Sequence, residues 1–517
     1  MPPGWLERSY GRLSRLLKHE YKERKPIILY ASHSDFQQTN ALGGESPSEG
    51  TGGVTDFLKQ RIILPFTGSY DDLEHVLQHE MVHQFQYDIW SRGRAGAGLQ
   101  QVIAINPPLW FVEGMAEYLS VETNDKGDPA GAVDANTAMW LRDAVRNGKM
   151  PTIDQLENDP RIFPYRFGQA LLAFIGARWG DEAIGAILQG TLAGGGGLEG
   201  SLKRTIGVDY AKLTDLWHDA VQKRYLPEVA TRDAPRAVAE EILSQKKSKG
   251  TYHLAPALSP DGTQVAYFSE GDFFFVDLYL ADAHTGKVEK KLLKSTYSTN
   301  YETFRFINST ASWSADGTRL AIAAKKGERD DIVIIDPKRN KEIRRIKLKL
   351  SGALTPSWSP DGTKLVFTGL DGGISDLFIV DADGDNLQRL TNDKNADFHP
   401  VWSPDGKTIA FATDRGPDTD FNTLKIGNLK IALYHLDTDS IEVLPYMEWG
   451  TNRSPQWAPD GQSIAFVSDR DGVSNIYLFD FTDRQLYQLT HLFTGAQGIT
   501  TFSRSSAGPR RRIGSPR

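Results

Sequence analysis

The sequence predicts a multidomain chain, an α+β N-terminal domain followed by an all-β propeller of about five to six blades with the last one incomplete. Three observations predict it. At 517 residues the chain is too long for one ordinary core, since domains usually run to roughly 100–200 residues. Helical and strand patterns mix at first, whereas short strands punctuated by turns take over after about Tyr252, beyond a charged stretch from Glu240 to Lys249. In that second half one phrase recurs five times. The expected boundaries are 1–230 for the first domain, 231–250 for a linker, 251–503 for the propeller and 504–517 for a disordered basic tail.

Composition narrows the function classes. With 39% hydrophobic, 24% charged and 10% aromatic residues the chain has the make-up of a globular protein, and no segment approaches the apolar length of a membrane helix. A formal charge of -7 argues against a nucleic-acid partner, because phosphate contacts need a basic face and the basic cluster is confined to Arg510, Arg511, Arg512 and Arg517. Cysteine is absent, which excludes disulfides, thiolate metal sites and cysteine nucleophiles and leaves His, Asp and Glu as metal ligands. The opening MPPGWLERSYGRLSRLLKHEY is amphipathic and charged, without the apolar core of a signal peptide. The expectation is a cytoplasmic protein or a chain that begins inside a longer precursor.

In the first domain, YDDLEHVLQHEMVHQFQYDIW reads as a helix, with Asp71 and Glu74 as a capping box and Leu73, Val76, Leu77, Met81, Val82 and Phe85 as an apolar stripe. His79 and His83 are four apart, so their imidazoles leave one face and can share a zinc ion. Glu80, beside them, is placed as general base for the attacking water. His75 is excluded as a ligand, because histidines at i, i+4 and i+8 drift round the helix and cannot all converge on one tetrahedral ion. After a connection containing Gly93, Gly96 and Gly98 and a Pro107-Pro108 pair, LWFVEGMAEYLS reads as a second amphipathic helix. A carboxylate from this helix completes a three-ligand set that leaves one position open, and Glu113 is the choice.

These motifs resemble the gluzincin metallopeptidases, the zincin-like group of aminopeptidase N and thermolysin, in which HExxH is followed by a helix carrying the third ligand in a W-x-x-E-G context. Trp110, Glu113 and Gly114 match that context, although 29 residues separate His83 from Glu113, a longer connection than in the aminopeptidases. The resemblance implies that Glu117, one turn after Glu113, orients the first histidine; the alternative is a solvated helix-face charge. It also implies that Tyr165, in PYRFGQALLAFIGARWG, donates to the developing oxyanion, against the alternative of a core tyrosine capping its helix. In EGTGGVTDFLKQRIILPFTG a Gly pair precedes a strand, Arg61 to Pro65, similar to the substrate-binding edge of the aminopeptidases. Val54-Thr55-Asp56 stands where those enzymes hold the substrate amine with a glutamate. That change favours an endopeptidase whose substrate backbone adds to the Ile62-Ile63-Leu64 edge.

In the second domain the phrase appears as LSPDG, SWSADG, SWSPDG, VWSPDG and QWAPDG, with Asp261, Asp316, Asp361, Asp405 and Asp460 separated by 55, 45, 44 and 55 residues. Asp-Gly makes a tight hairpin turn, and the spacing suits propeller blades of roughly 40–50 residues. Trp313, Trp358, Trp402 and Trp457 recur at one position of the unit and read as packing residues. The repeats resemble the blades of TolB and of the prolyl oligopeptidase propeller, which implies a periplasmic or secreted location. No Gly-x-Ser-x-Gly occurs, so a serine peptidase is disfavoured. A sixth repeat is due near residue 505, where TFSRSSAGPRRRIGSPR carries no strand pattern.

The expected function is a zinc-dependent peptidase acting on a peptide or protein substrate, with a propeller that gates substrate or binds a protein partner. Two alternatives remain: a propeller-based binding scaffold with a silent zinc domain, and a hydrolase acting on a non-peptide bond.

Overall fold

The computed structural model describes residues 3–42, 47–48, 50–91, 103, 105–121, 130–193, 195–250, 252–272, 275–294, 303–305, 309–326 and 329–497. Gly93, Gly96, Gly98, the arginines of the basic tail and the position of a sixth repeat lie outside these residues.

The chain is mainly helical as far as Ser248, with one small sheet. Helix α1 (Pro3–Leu17) leads to β1 (Ile27–Tyr30), a short helix α2 (His33–Gln37), β2 (Val54–Asp56), β3 (Arg61–Pro65) and the long helix α3 (Tyr70–Ser91). Later helices include Leu109–Ser120, Ala135–Arg146, Pro164–Trp179 and Tyr210–Val229. The strands pair in the order β1-β3-β2, with β1 parallel and β2 antiparallel to β3. This corrects one expectation: Ile62, Ile63 and Leu64 are not an edge. Ile62 pairs with Ile27 on one side and Thr55 on the other, because the apolar run of β1 occupies the far side of β3. The edge strand beside α3 is β2.

The start of α3 also differs from the expected capping box. Ser69 Oγ accepts from the N–H groups of Asp71 at 3.2 Å and Asp72 at 3.4 Å, so the shorter hydroxyl side chain caps the helix two residues earlier than Asp71 would. Of the expected stripe, Leu73, Leu77, Met81, Val82 and Phe85 are buried and Val76 is half-buried, while Gln78, Glu80, His83, Gln84, Gln86 and Asp88 on the polar side are buried too. Polar groups removed from water must find partners inside. Asp88, for example, meets Lys25 at 2.6 Å and His19 at 2.7 Å. One apolar core, with Trp5, Phe85, Trp110, Phe111, Leu171 and Trp217, gathers the helices and takes in Leu424 and Phe493 from the β half. Burying each such side chain contributes roughly 1.5–3 kcal/mol.

From Leu254 onward the described chain forms five antiparallel sheets in series. The third shows the plan: strands Gly352–Trp358, Lys364–Asp371, Ile374–Asp381 and Gln388–Arg389 pair in sequence order. In the second sheet the first strand comes in two pieces, Thr303–Phe304 and Ser312–Trp313, both paired with Leu320–Lys326. Every recurrent Asp-Gly forms the turn between the first and second strands. In the third sheet Asp361 Oδ1 accepts from Ser359 Oγ at 2.6 Å and from Thr363 N at 3.0 Å, and Gly362 takes φ +68°, a region that disfavours any Cβ. Apolar clusters join the first sheet to the second, the second to the third, the third to the fourth and the fourth to the fifth. Trp358 and Trp402 are buried in two of them. Among the described residues no strand pairing or apolar cluster joins the fifth sheet to the first, so these sheets do not close a ring.

The two halves touch through specific contacts. Trp5 Nε1 donates to Leu424 O at 3.0 Å, Ser375 Oγ to Gly68 O at 2.8 Å, and Arg232 pairs with Asp471 at 3.0 Å. Arg305 is buried against Asp330 at 2.8 Å and donates to Ser34 Oγ in α2 at 2.6 Å. No helix among the described residues is long and apolar enough to cross a membrane.

Candidate metal centre

α3 presents His79 and His83 from one face, and the Leu109–Ser120 helix crosses it so that Glu113 reaches both. The Nε2 atoms of the two histidines lie 3.1 Å apart, and Glu113 Oε2 is 3.4 Å from that of His79 and 3.2 Å from that of His83. A tetrahedral ion with bonds of roughly 2.0–2.1 Å spaces its ligand atoms about 3.3 Å apart, so this triangle fits a zinc ion. Among the described residues no other trio of His, Asp or Glu is arranged to share an ion. His75 stays outside it, its ring 6.5 Å from that of His79.

The surroundings fix each side chain. Gln86 is fully buried; its Nε2 donates to Val112 O at 2.9 Å, which leaves Oε1 to accept from His83 Nδ1 at 2.9 Å. That bond sets the His83 tautomer with its Nε2 lone pair toward the centre. Glu117 Oε1 lies 3.6 Å from His79 Nδ1, and its other oxygen lies 3.5 Å from Arg166. Glu117 is buried, so it is not a solvated face charge. The approach of the two helices that carry Glu113 and Tyr165 depends on glycine: a Cβ on Gly114 would stand 2.4 Å from the carbonyl carbon of Gly168, and one on Gly168 would stand 2.3 Å from Trp110 O.

Glu80 is held from β2, where Thr55 Oγ1 donates to Glu80 Oε2 at 2.7 Å and to its backbone O at 2.9 Å. The preceding Gly53 lies so close that a Cβ there would be 2.9 Å from Glu80 Cγ. Asp56, next in the strand, pairs with Arg61 at 3.2 Å and accepts from Leu58 N and Lys59 N, which turns its carboxylate away from the role of amine anchor. Tyr165 opens the Pro164–Trp179 helix and lines the same cleft as Glu113; burial, then the charge of Glu113, raises its pKa well above the ordinary range. Glu80, His79, His83, Glu113, Glu117, Tyr165 and the Gly50–Thr55 segment all line one cleft of about 520 Å³.

The electrostatics suit a cation. Burial disfavours a charged His83, but the hydrogen bond and charge of Glu113, with the charge of Glu80, outweigh it and push the pKa up to about 9. Burial likewise opposes a charged Glu113, yet the two imidazoles bring it down to about 2. Positive charge is thus favoured among these groups even where desolvation resists it.

Thr55, Gln86, Arg166 and Tyr87, whose ring stacks 6.2 Å from that of His83, escaped sequence reasoning. The one available signal was the run of polar residues on a helix whose neighbours demand burial.

Comparison with known proteins bears on the β half. Residues 240–427 match the TolB beta propeller domain family, so this segment is a TolB-like β-propeller domain. A TolB homolog from Protochlamydia amoebophila (strain UWE25) is 49% identical over 37 residues, which span 7% of this chain and 8% of that protein. Among solved structures, TolB from Acinetobacter baumannii is 20% identical with a TM-score of 0.38, covering 54% of this chain and 70% of its own. A TolB-like protein from Agrobacterium tumefaciens is 22% identical with a TM-score of 0.38, covering 50% of this chain and 91% of its own.

Proposed function

We propose that the protein is a zinc-dependent peptidase whose propeller serves as a binding scaffold for the substrate or a partner. The observation that carries this reading is the triangle of His79, His83 and Glu113 with Glu80 adjacent, since a purely structural metal site has no use for Glu80. His79, His83 and Glu113 would hold the ion. Bound there, zinc would supply Lewis acidity, polarising the scissile carbonyl and acidifying the attacking water. Glu80, positioned by Thr55, takes the proton of that water and delivers it to the leaving amine. Tyr165, protonated and within reach of Glu113, donates a hydrogen bond to the oxygen on which negative charge develops. The exposed side of β2, not β3, is the strand to which an extended substrate backbone adds, and the engagement of Asp56 with Arg61 favours cleavage within a chain.

Hydrolysis of unfolded casein, with and without chelator, tests the reading together with zinc stoichiometry on the wild type and on Glu113→Ala. Glu80→Gln should keep zinc and lose activity by at least about 100-fold. Zinc-loaded wild type that leaves casein and peptides intact would support a second reading, a propeller-based scaffold with a catalytically silent metal domain. That reading is favoured by one observation: the segment with a family match is the propeller.

A further inference from the structure

A second cavity, of about 180 Å³, adjoins the metal cleft, and Gly50, Thr51, Gly52 and Val76 line both. Its opposite wall comes from the propeller: Arg305, Asp330, Ser351, Gly352, Leu354 and Leu370. Both leucines are buried, 8% and 6% exposed, yet neither belongs to the apolar clusters that bind one sheet to the next. Leu370 abuts the helical half at Gly68, where a Cβ would stand 2.8 Å from it. The polar groups at the back are already engaged: Arg305 with Asp330 and Ser34, and His33 Nε2 with Thr51 O at 3.1 Å. Asp72, also in the wall, faces the charge of the buried Arg453.

The lip between cleft and cavity is nearly bare backbone. A Cβ on Gly52 would meet Val76 at 3.4 Å and one on Gly53 at 3.0 Å, so side chains there would fill the passage. The lip runs directly into β2, and a chain paired along that strand sends alternate side chains to opposite faces.

We propose that this cavity is the specificity pocket of the cleft, taking one large aliphatic or aromatic side chain of a bound polypeptide against a wall supplied by Leu354 and Leu370 of the propeller. Its size admits one side chain and no folded segment, and Val76, Leu354 and Leu370 offer apolar contact in a lining whose Arg305 and Asp330 satisfy each other. Hydrolysis of the occupant rests on the peptidase reading, whereas its binding does not.

The test uses the full chain freed of metal by chelation, so that binding is read without cleavage. Unstructured decapeptides that differ at one central position, Leu, Phe, Ala or Asp, are titrated by calorimetry. The Leu and Phe peptides should bind about 10-fold or more tighter than the Ala and Asp peptides, the discrimination expected of an apolar pocket. Leu354→Arg should erase that difference, and Leu354→Ala, milder for folding, should shift preference from Leu toward Phe. The zinc-loaded chain should rank the same peptides alike in kcat/KM. Equal binding of all four peptides, or an unchanged preference in both Leu354 variants, overturns the pocket. Preference without any cleavage upholds the pocket and sinks the peptidase reading; cleavage without preference does the reverse.

Discussion

Gln86 divides its amide between Val112 O and the His83 ring, and so couples the two helices that supply the ligands. Gln86→Leu should leave the fold intact and weaken zinc binding about 10–100-fold, as loss of a ligand-orienting partner does, measured by competition with a chromophoric chelator. Unchanged affinity would show that packing alone orients the ring. His79, Glu80 and His83 were legible in the sequence because helical spacing dictates their relation, and Glu113 because a carboxylate on the following amphipathic helix completes the ligand set. Gln86 and Thr55 were not, because each acts on a partner brought near only by tertiary contact. Asp414, in the propeller, gives a pH prediction. Burial, assisted by the charge of Asp397, raises its pKa to about 7 against the hydrogen bonds from Asn395 and Ala396. The folded state then holds a proton that the unfolded chain releases near its ordinary value of 3.8, so this contribution to stability is full below about pH 4 and is lost as pH rises through 7. Asp414→Asn keeps the Oδ1 acceptor and should flatten the fall in Tm between about pH 5 and pH 8; an unaltered slope assigns it to other groups.

The crossing of the Leu109–Ser120 and Pro164–Trp179 helices depends on Gly114 and Gly168 being bare. Gly168→Ala should push the helices apart at a cost of about 1–3 kcal/mol, read as a lower urea midpoint, with weaker zinc binding because Glu113 sits next to the displaced residue. Retained stability and affinity together would mean the crossing tolerates a methyl group. The sequence marked Gly114 as part of a motif, but its reason, contact with a glycine on a helix 54 positions later, needed the fold. The Asp-Gly turns show the opposite case, since everything that makes them lies within five residues. The central place of β3 was hidden for the same reason as the crossing: its second partner, β1, pairs across more than thirty residues. Also unforeseen was the bulge in four of the inner strands, where Ala255, Thr355, His399 and Ser454, each before a proline, take φ from +47° to +56°. Proline lacks the ladder N–H and is tolerated at such a bulge.

Across the whole molecule, Arg305 ties the halves by pairing with Asp330 of its own half while donating to Ser34 Oγ of the other. Arg305→Met would strand the Asp330 carboxylate and should cost about 3–5 kcal/mol in chemical denaturation, whereas the double change with Asp330→Asn should cost much less. Equal losses for the single and double variants would assign the effect to packing. The apolar tie is Trp5, Leu424 and Phe493 in one shared core.

Gly68, which precedes α3, takes φ +100° in a niche where a Cβ would come within 2.8 Å of Leu370 and 2.9 Å of Ser375. The helix that bears both histidines therefore starts from a socket moulded by the third propeller sheet. The helical half is not a portable cassette: cut away from its β neighbour or grafted onto another scaffold, it would lose the abutment from which its histidine-bearing helix springs. Shuffling of such halves in nature or in the laboratory must carry that third sheet along.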